Sequence, residues 1–177
     1  MVLYTQKAFK EATQSPDWSG GVYDGKIRLP AGGIKEVTDQ LKAALYHEYT
    51  HVVVRSMTGG KRVPMWLNEG IAEYEGARFI KRPLKELARA AKDGKLHPLK
   101  RLEGSFSALS DKESHLAYLQ SYSIVNYIID RFGSHAVRDM LENIGRGDKT
   151  EDAVKKGVEA YSLDYDRLVA EWESSLK

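Results

Sequence analysis

Apolar residues recur at helical spacing from about residue 36 to the end of the chain, which predicts a mainly helical body. Capping residues mark where two of the helices begin and end. Thr38 precedes the first long helix and Gly59-Gly60 follows it, while Ser110 opens a capping box and Gly133 stands at the matching C-cap. The predicted helices span residues 39–57, 64–79, 84–93, 110–133, 134–144, 151–160 and 165–176, and residues 95–109 are predicted to form a long irregular loop.

The first 34 residues carry the β-like pattern of the chain. Residues 2–5 suit a strand and residues 7–14 a short helix, which a break at Ser15-Pro16-Asp17 ends. Residues 21–29 predict a hairpin, because Asp24-Gly25 suits the positive φ angles of a two-residue turn. The alternative is a glycine-rich loop without strand pairing. Together the patterns favour an α+β fold, mainly helical, with a small N-terminal β-sheet packed against the helical body.

No internal repeat or linker divides the chain, and its 177 residues suit one domain over residues 1–177. Residues 1–5 suit a strand and lack the basic-then-apolar layout of a signal peptide. One interpretation is therefore a domain excised from a longer protein with additional domains. The compartment is left open.

The amino-acid composition excludes several kinds of functional site and several classes of protein. With 42% hydrophobic and 29% charged residues the chain is an ordinary globular sequence. The absence of cysteine excludes disulfides, a thiol nucleophile and a thiolate-bound metal. No apolar run approaches the roughly 18 residues of a membrane span, and a net charge of +2 provides no overall field that favours nucleic acid.

The charge is nevertheless uneven. Residues 78–101 contain nine Lys or Arg against two acidic residues. Such a segment is typical of the solvated face of a helix. The alternative is a surface that docks an acidic partner or a membrane.

The most informative motif is His47-Glu48-Tyr49-Thr50-His51 on the first long helix. Histidines at positions i and i+4 share one helical face, so both imidazoles can reach one ion, and neutral imidazole suits Zn²⁺. Glu48 is offset by about 100° from His47, which places its carboxylate beside the metal, where it can deprotonate a bound water. The alternative is a pair of partly buried histidines and a glutamate in a core helix, but burying such groups without a partner is costly.

A zinc site of this kind needs a third protein ligand and an open fourth position. The second helix offers Glu69 within Trp66-Leu67-Asn68-Glu69-Gly70-Ile71-Ala72-Glu73-Tyr74. The 17 residues between His51 and Glu69 leave room for the Gly59-Gly60 turn and an antiparallel return. Met65 and Trp66 are predicted to anchor this helix in the core.

At these residues the sequence resembles the gluzincin metallopeptidases, the group that contains thermolysin and the aminopeptidase N-like enzymes. The small peptidase MA-like domains look closer still, since they share the short length. The resemblance spans about residues 3–133 and includes Leu29-Pro30 and the fifteen-residue spacing from Tyr118 to Gly133. It implies one Zn²⁺ per chain held by His47, His51 and Glu69, with Glu48 as general base.

The resemblance also implies roles for residues around the metal. Glu73, one turn beyond Glu69, matches the acidic residue that orients a ligand histidine in thermolysin-like enzymes; the alternative is a solvated glutamate. Tyr118 resembles the tyrosine that stabilises the transition state in aminopeptidase N-like enzymes. Tyr122, one turn along the same face, is the second candidate, and the alternative is that both tyrosines only pack in the core.

Two features depart from those families. The Gly-Ala-Met-Glu-Asn segment of aminopeptidase N-like enzymes is missing, and only residues 20–24 occupy a comparable place, so exopeptidase action is not implied. Their large flanking domains are missing as well. We expect the hairpin to form the rim of the cleft and to bind an extended substrate backbone at Val22, Tyr23 and Asp24.

These observations predict a zinc-dependent peptidase that hydrolyses peptide bonds through a metal-activated water, with a peptide or protein as substrate. The alternatives are a catalytically silent, zinc-stabilised binding domain and a regulatory domain that docks through residues 78–101. The remaining histidines, His97, His115 and His135, are predicted to be surface or capping residues; the alternative for His97 is that its loop folds over the site.

Overall fold

A small sheet forms the N-terminal edge of the molecule in the computed structural model, which describes residues 1–14, 20–32 and 36–176. Its strands are β1 (Val2–Leu3), β2 (Val22–Tyr23) and β3 (Ile27–Leu29), in the order β1-β3-β2. β2 pairs with β3 antiparallel, with Val22 opposite Arg28, and Gly25 turns the hairpin at φ +97°. β1 pairs with β3 in parallel. The predicted hairpin is therefore confirmed, and the loop alternative is wrong.

The predicted first strand is too long, because the chain turns into a helix sooner. Thr5 caps α1 (Gln6–Thr13) by accepting a 3.2 Å hydrogen bond from the backbone of Ala8. A residue that caps a helix has left the strand ladder, so β1 ends at Leu3. The predicted break at residues 15–17 lies outside the described residues.

Helices make up most of the described chain, in agreement with the predicted α+β, mainly helical fold. They are α2 (Asp39–Met57), α3 (Met65–Gly76), α4 (Lys85–Lys92), α5 (Asp111–Phe132), α6 (Ser134–Arg146), α7 (Thr150–Gly157) and α8 (Tyr165–Ser175). Local capping explains several of these bounds. Thr38 accepts from the backbone of Leu41, and Ser110 forms the complete capping box with Glu113.

The predicted irregular loop at residues 95–109 contains two 3-10 turns, Leu99–Glu103 and Phe106–Ala108. Their side chains Leu99, Leu102 and Phe106 are buried in the main core, so burial orders a segment that lacks a clear helical period. A further 3-10 turn, Glu159–Tyr161, follows α7, which ends earlier than predicted.

The core is built around α5. Trp66 of α3 and Ile124 and Ile128 of α5 are completely buried, and the C-terminal helices cover the same core. α3 and α5 approach each other closely at Gly70, where a Cβ atom would lie 2.3 Å from the carbonyl oxygen of Ser121. Only glycine allows this approach, which fixes the position of the helix that carries Glu69.

α2 packs between the sheet and α3, so both of its flanks are covered. Its N-terminal half meets the C-terminal end of α3, where a Cβ atom on Gly76 would contact Ala43, and the two helices are therefore antiparallel. On α4 the cations Lys85, Arg89 and Lys92 are not buried, whereas Leu87 is. Among the described residues no helix is both long and apolar enough to cross a membrane.

Candidate metal centre

Two adjacent helices present the three predicted metal ligands. His47 and His51 lie one turn apart on α2, with ring centroids 4.9 Å apart. Glu69 reaches them from α3, where its Oε2 is 3.5 Å from Nε2 of His47 and 3.8 Å from Nε2 of His51. One ligand atom from each residue lies within 4.8 Å of the others. The group could therefore hold a single metal ion.

The other ring nitrogen of each histidine has its own partner. Nδ1 of His51 is 3.1 Å from Oδ1 of Asn68, and Nδ1 of His47 is 3.4 Å from Oε1 of Glu73. Both partners are acceptors, so they favour the tautomer in which Nδ1 carries the proton. The lone pairs of both Nε2 atoms then face the carboxylate of Glu69. The two Nε2 atoms and the Glu69 carboxylate are then three hydrogen-bond acceptors that face one another with no proton between them. Such a group suits a cation, and two imidazoles with one carboxylate suit Zn²⁺.

Charge and burial oppose each other within this cluster. Burial lowers the pKa of His47, but the carboxylate of Glu69, 3.5 Å from its Nε2, and the charges of Glu73 and Glu48 outweigh that effect and raise it. For His51 burial dominates and lowers the pKa. Burial would raise the pKa of Glu69, but the two histidines hold it below its ordinary value. The carboxylate predicted as a metal ligand is thus kept ionised.

The pKa of Glu48 is shifted in the opposite direction to that of Glu69. Glu48 is only 5% exposed, and burial raises its pKa to about 7, with the charge of Glu69 acting in the same direction. The backbone of the hairpin lies directly against it, because a Cβ atom on Gly21 would be 2.7 Å from Cγ of Glu48. A carboxylate with a pKa near neutrality can both accept and return a proton.

A cavity of about 1270 Å³ opens over this cluster. Its lining includes the residues predicted for the metal, the base, Glu73 and Tyr118, together with residues 20–23. Val22 and Tyr23 thus lie at the cleft. Asp24 does not line it; it is exposed and forms a 3.0 Å ion pair with Arg28 across the hairpin. The structure does not bring Asp24 into the site.

The two candidate tyrosines on α5 differ in position. Tyr118 lines the cavity and packs edge-on against Phe106, with ring centroids 5.3 Å apart. Burial and then the charges of the facing glutamates raise its pKa, so the phenol stays protonated. Tyr122 is not among the lining residues, although burial raises its pKa too.

The sequence interpretation missed two residues of the site. Asn68 contacts His51, and Arg82 forms an ion pair with Glu73 in which Nε is 2.6 Å from Oε2. Asn68 adjoins Glu69 in the motif already noted, and its place next to a predicted ligand was the available signal. Arg82 belonged to the basic segment and gave no signal of its own. Glu73 itself is only 14% exposed at the side chain, so it is not a solvated glutamate.

The prediction for His97 is wrong. This histidine is 8% exposed, and its backbone exchanges two 2.9 Å hydrogen bonds with the side-chain amide of Gln120 on α5. Its ring nitrogen Nε2 also contacts the carbonyl of Glu113. It therefore ties the segment before the first 3-10 turn to α5. His115 and His135 are exposed, and Nε2 of His115 lies 3.0 Å from Oε2 of Glu86.

Comparison with protein families adds one match, to the model of the peptidase MA superfamily, and it covers residues 2–177. Comparison with curated proteins and with solved structures yields no match. The match does not single out the thermolysin or aminopeptidase N relationship. It spans nearly the whole chain, including the two helices that carry His47, His51 and Glu69. The chain belongs to the peptidase MA superfamily.

Proposed function

We propose that this protein is a zinc-dependent peptidase that hydrolyses peptide bonds with Glu48 as general base. The observation that carries the proposal is the convergence of His47, His51 and Glu69 at one point beneath a large cleft, with a buried carboxylate beside them. Domains of this superfamily can lack activity. A silent domain, however, would have no use for the buried Glu48, whose ionised form is costly to bury.

Each residue has a distinct role in the proposed reaction. Zn²⁺ held by His47, His51 and Glu69 would act as a Lewis acid toward the attacking water and the scissile carbonyl. Glu48 accepts the proton of the water and delivers it to the leaving amine. In the metal-free protein burial raises its pKa to about 7, so the two protonation states that these steps need are both accessible. Asn68 and Glu73 hold the imidazole rings in the tautomer that exposes Nε2.

The general test is reversible metal dependence. Zinc-loaded protein should cleave a mixture of fluorescence-quenched peptides, lose that activity on treatment with a chelator, and regain it with one equivalent of Zn²⁺. A protein that binds zinc but cleaves no peptide under these conditions would favour the silent binding domain.

Tyr118 is proposed as the donor that covers the developing oxyanion. It lines the cavity and keeps its proton, so it can donate a hydrogen bond without ionising. Tyr118→Phe should lower kcat by about 10²–10³ with little change in KM, as removal of one oxyanion donor does. Zinc content and Tm should stay near those of the unmodified protein.

Tyr122→Phe is the matched control, since it removes the same hydroxyl one turn away. Its kinetics should be nearly unchanged. If Tyr122→Phe shows the loss and Tyr118→Phe does not, the donor is one turn further along α5. If neither variant loses activity, the donor is not on this helix.

The edge strand β2 is proposed to bind the substrate backbone. β2 is an outer strand of the described sheet, and Val22 and Tyr23 line the cleft. An extended peptide that added to this strand would gain affinity from main-chain hydrogen bonds. Proline at Val22 or Tyr23 removes a backbone N–H, so at one of them KM should rise while zinc content is unchanged.

Alanine at the same two positions keeps the N–H groups and serves as the control, with a smaller effect on KM. Unchanged kinetics throughout a proline scan of residues 22–28 would contradict substrate binding at the hairpin.

A further inference from the structure

Arg82 lies on the segment that joins α3 to α4 and forms part of the cleft wall with Ile80 and Pro83. Its Nε is 2.6 Å from Oε2 of Glu73. The two groups form an ion pair, but the Nε–H bond of Arg82 is not aimed at the oxygen as a hydrogen bond requires. The other oxygen of Glu73 is 3.4 Å from Nδ1 of His47. Arg82, Glu73 and His47 therefore form a continuous chain of contacts from the cleft wall to a metal ligand.

Partial burial strengthens the interaction between Arg82 and Glu73. The side chain of Glu73 is 14% exposed and that of Arg82 is 33% exposed, so both groups are partly removed from water. A carboxylate in such surroundings needs a cation to hold it in one place. With Oε2 held by the guanidinium, Oε1 remains directed at the ring of His47. Without the guanidinium, Oε1 of Glu73 would lose its fixed position beside the ring of His47.

We infer that Arg82 is a positioning residue for the metal centre: it holds Glu73 against His47 and so couples the cleft wall at Ile80, Arg82 and Pro83 to the metal affinity. The inference rests on the proposed metal centre, and it does not depend on whether the protein cleaves peptides. Loss of a hydrogen-bond partner behind a metal ligand typically weakens metal binding by about 10–100-fold.

The same segment provides an internal control. Arg78 also pairs with a glutamate of α3, since its Nη1 is 2.9 Å from Glu75, but its side chain is 61% exposed. Glu75 has no contact with a metal ligand among the interactions of the described residues. Arg78→Gln removes the same charge from the same segment without touching the chain of contacts to His47.

The test measures zinc affinity by competition with a chromophoric chelator for the unmodified protein and for R82Q, E73Q, R82Q/E73Q, R82K and R78Q. R82Q should weaken zinc binding about tenfold, and E73Q at least as much. Removing a nearby positive charge by itself favours a cation, so weaker binding identifies positioning rather than charge. R78Q should bind zinc as the unmodified protein does.

The double variant decides whether Arg82 acts through Glu73. If it does, R82Q/E73Q binds no more weakly than E73Q alone, because the path from Arg82 to His47 is already broken. R82K keeps the charge without the planar fork and should recover part of the affinity. Circular dichroism of the metal-free variants checks that each is folded. Because R82K retains a cation beside Glu73, it tests the same inference if R82Q unfolds.

Unchanged affinity in R82Q, or effects of R82Q and E73Q that multiply, would overturn the inference while leaving the metal centre intact. An unmodified protein without measurable zinc affinity would overturn both. The two failures are therefore distinguishable in the same titration.

Discussion

Replacing Glu48 by glutamine is expected to abolish most peptide hydrolysis while the metal stays bound. The amide has nearly the shape of the carboxylate but cannot accept the proton of the attacking water, so kcat/KM should fall by about 10²–10⁴. The fold should tolerate the change. Since burial raises the pKa of Glu48, its ionised form is the costly one in the folded state. Above pH 7 the neutral amide should leave the Tm of metal-free protein equal or higher.

Glu75→Gln is the matched control, because Glu75 lies on the neighbouring helix and pairs only with Arg78 among the described ion pairs. Its activity and zinc content should equal those of the unmodified protein. A Glu48→Gln variant that cleaves peptides at the unmodified rate would contradict the proposed mechanism, whatever its metal content.

Replacing Glu69 by alanine is expected to have the largest effect on metal binding. Glu69 supplies the ligand oxygen that faces both histidines, at 3.5 and 3.8 Å. Removing a residue that only hydrogen-bonds to a metal ligand weakens metal affinity by up to about 100-fold. Loss of Glu69, a predicted ligand itself, should weaken zinc affinity by more than that. The measurement is zinc content by mass spectrometry after dialysis against a mild chelator.

Glu75→Ala and Glu86→Ala should keep their zinc in the same dialysis. Both glutamates carry the same charge, and their side chains are 30% and 72% exposed and pair with Arg78 and His115 rather than with His47 or His51. A Glu69→Ala protein that retained one zinc per chain would show that the third ligand is misassigned.

Local signals account for what the sequence predicted well. The starts of α2 and α5 follow from Thr38 and Ser110, whose side chains bond to backbone within their own first turns. The shared face of His47 and His51 likewise follows from the helical repeat alone. Each of these depends on residues three or four positions apart, and the sequence displays such relations directly.

Relations between distant segments were not predictable in the same way. The parallel pairing of β1 with β3 and the contact of Arg82 with Glu73 depend on how whole elements pack. His97 is buried because the segment after it inserts Leu99 and Leu102 into the core. No periodic pattern of apolar residues in that segment predicted this burial. Asp24 lies outside the cleft because it is exposed at the turn of the hairpin, where it pairs with Arg28 on the opposite arm.

The most direct test of the proposed function is digestion of an unbiased peptide library, with the products identified by mass spectrometry. Zinc-loaded protein should generate new termini that are missing when Glu48→Gln protein with equal zinc content replaces it. A library left intact by the zinc-loaded protein, or cleaved equally by both proteins, would contradict the assignment of this domain as a peptidase that uses Glu48.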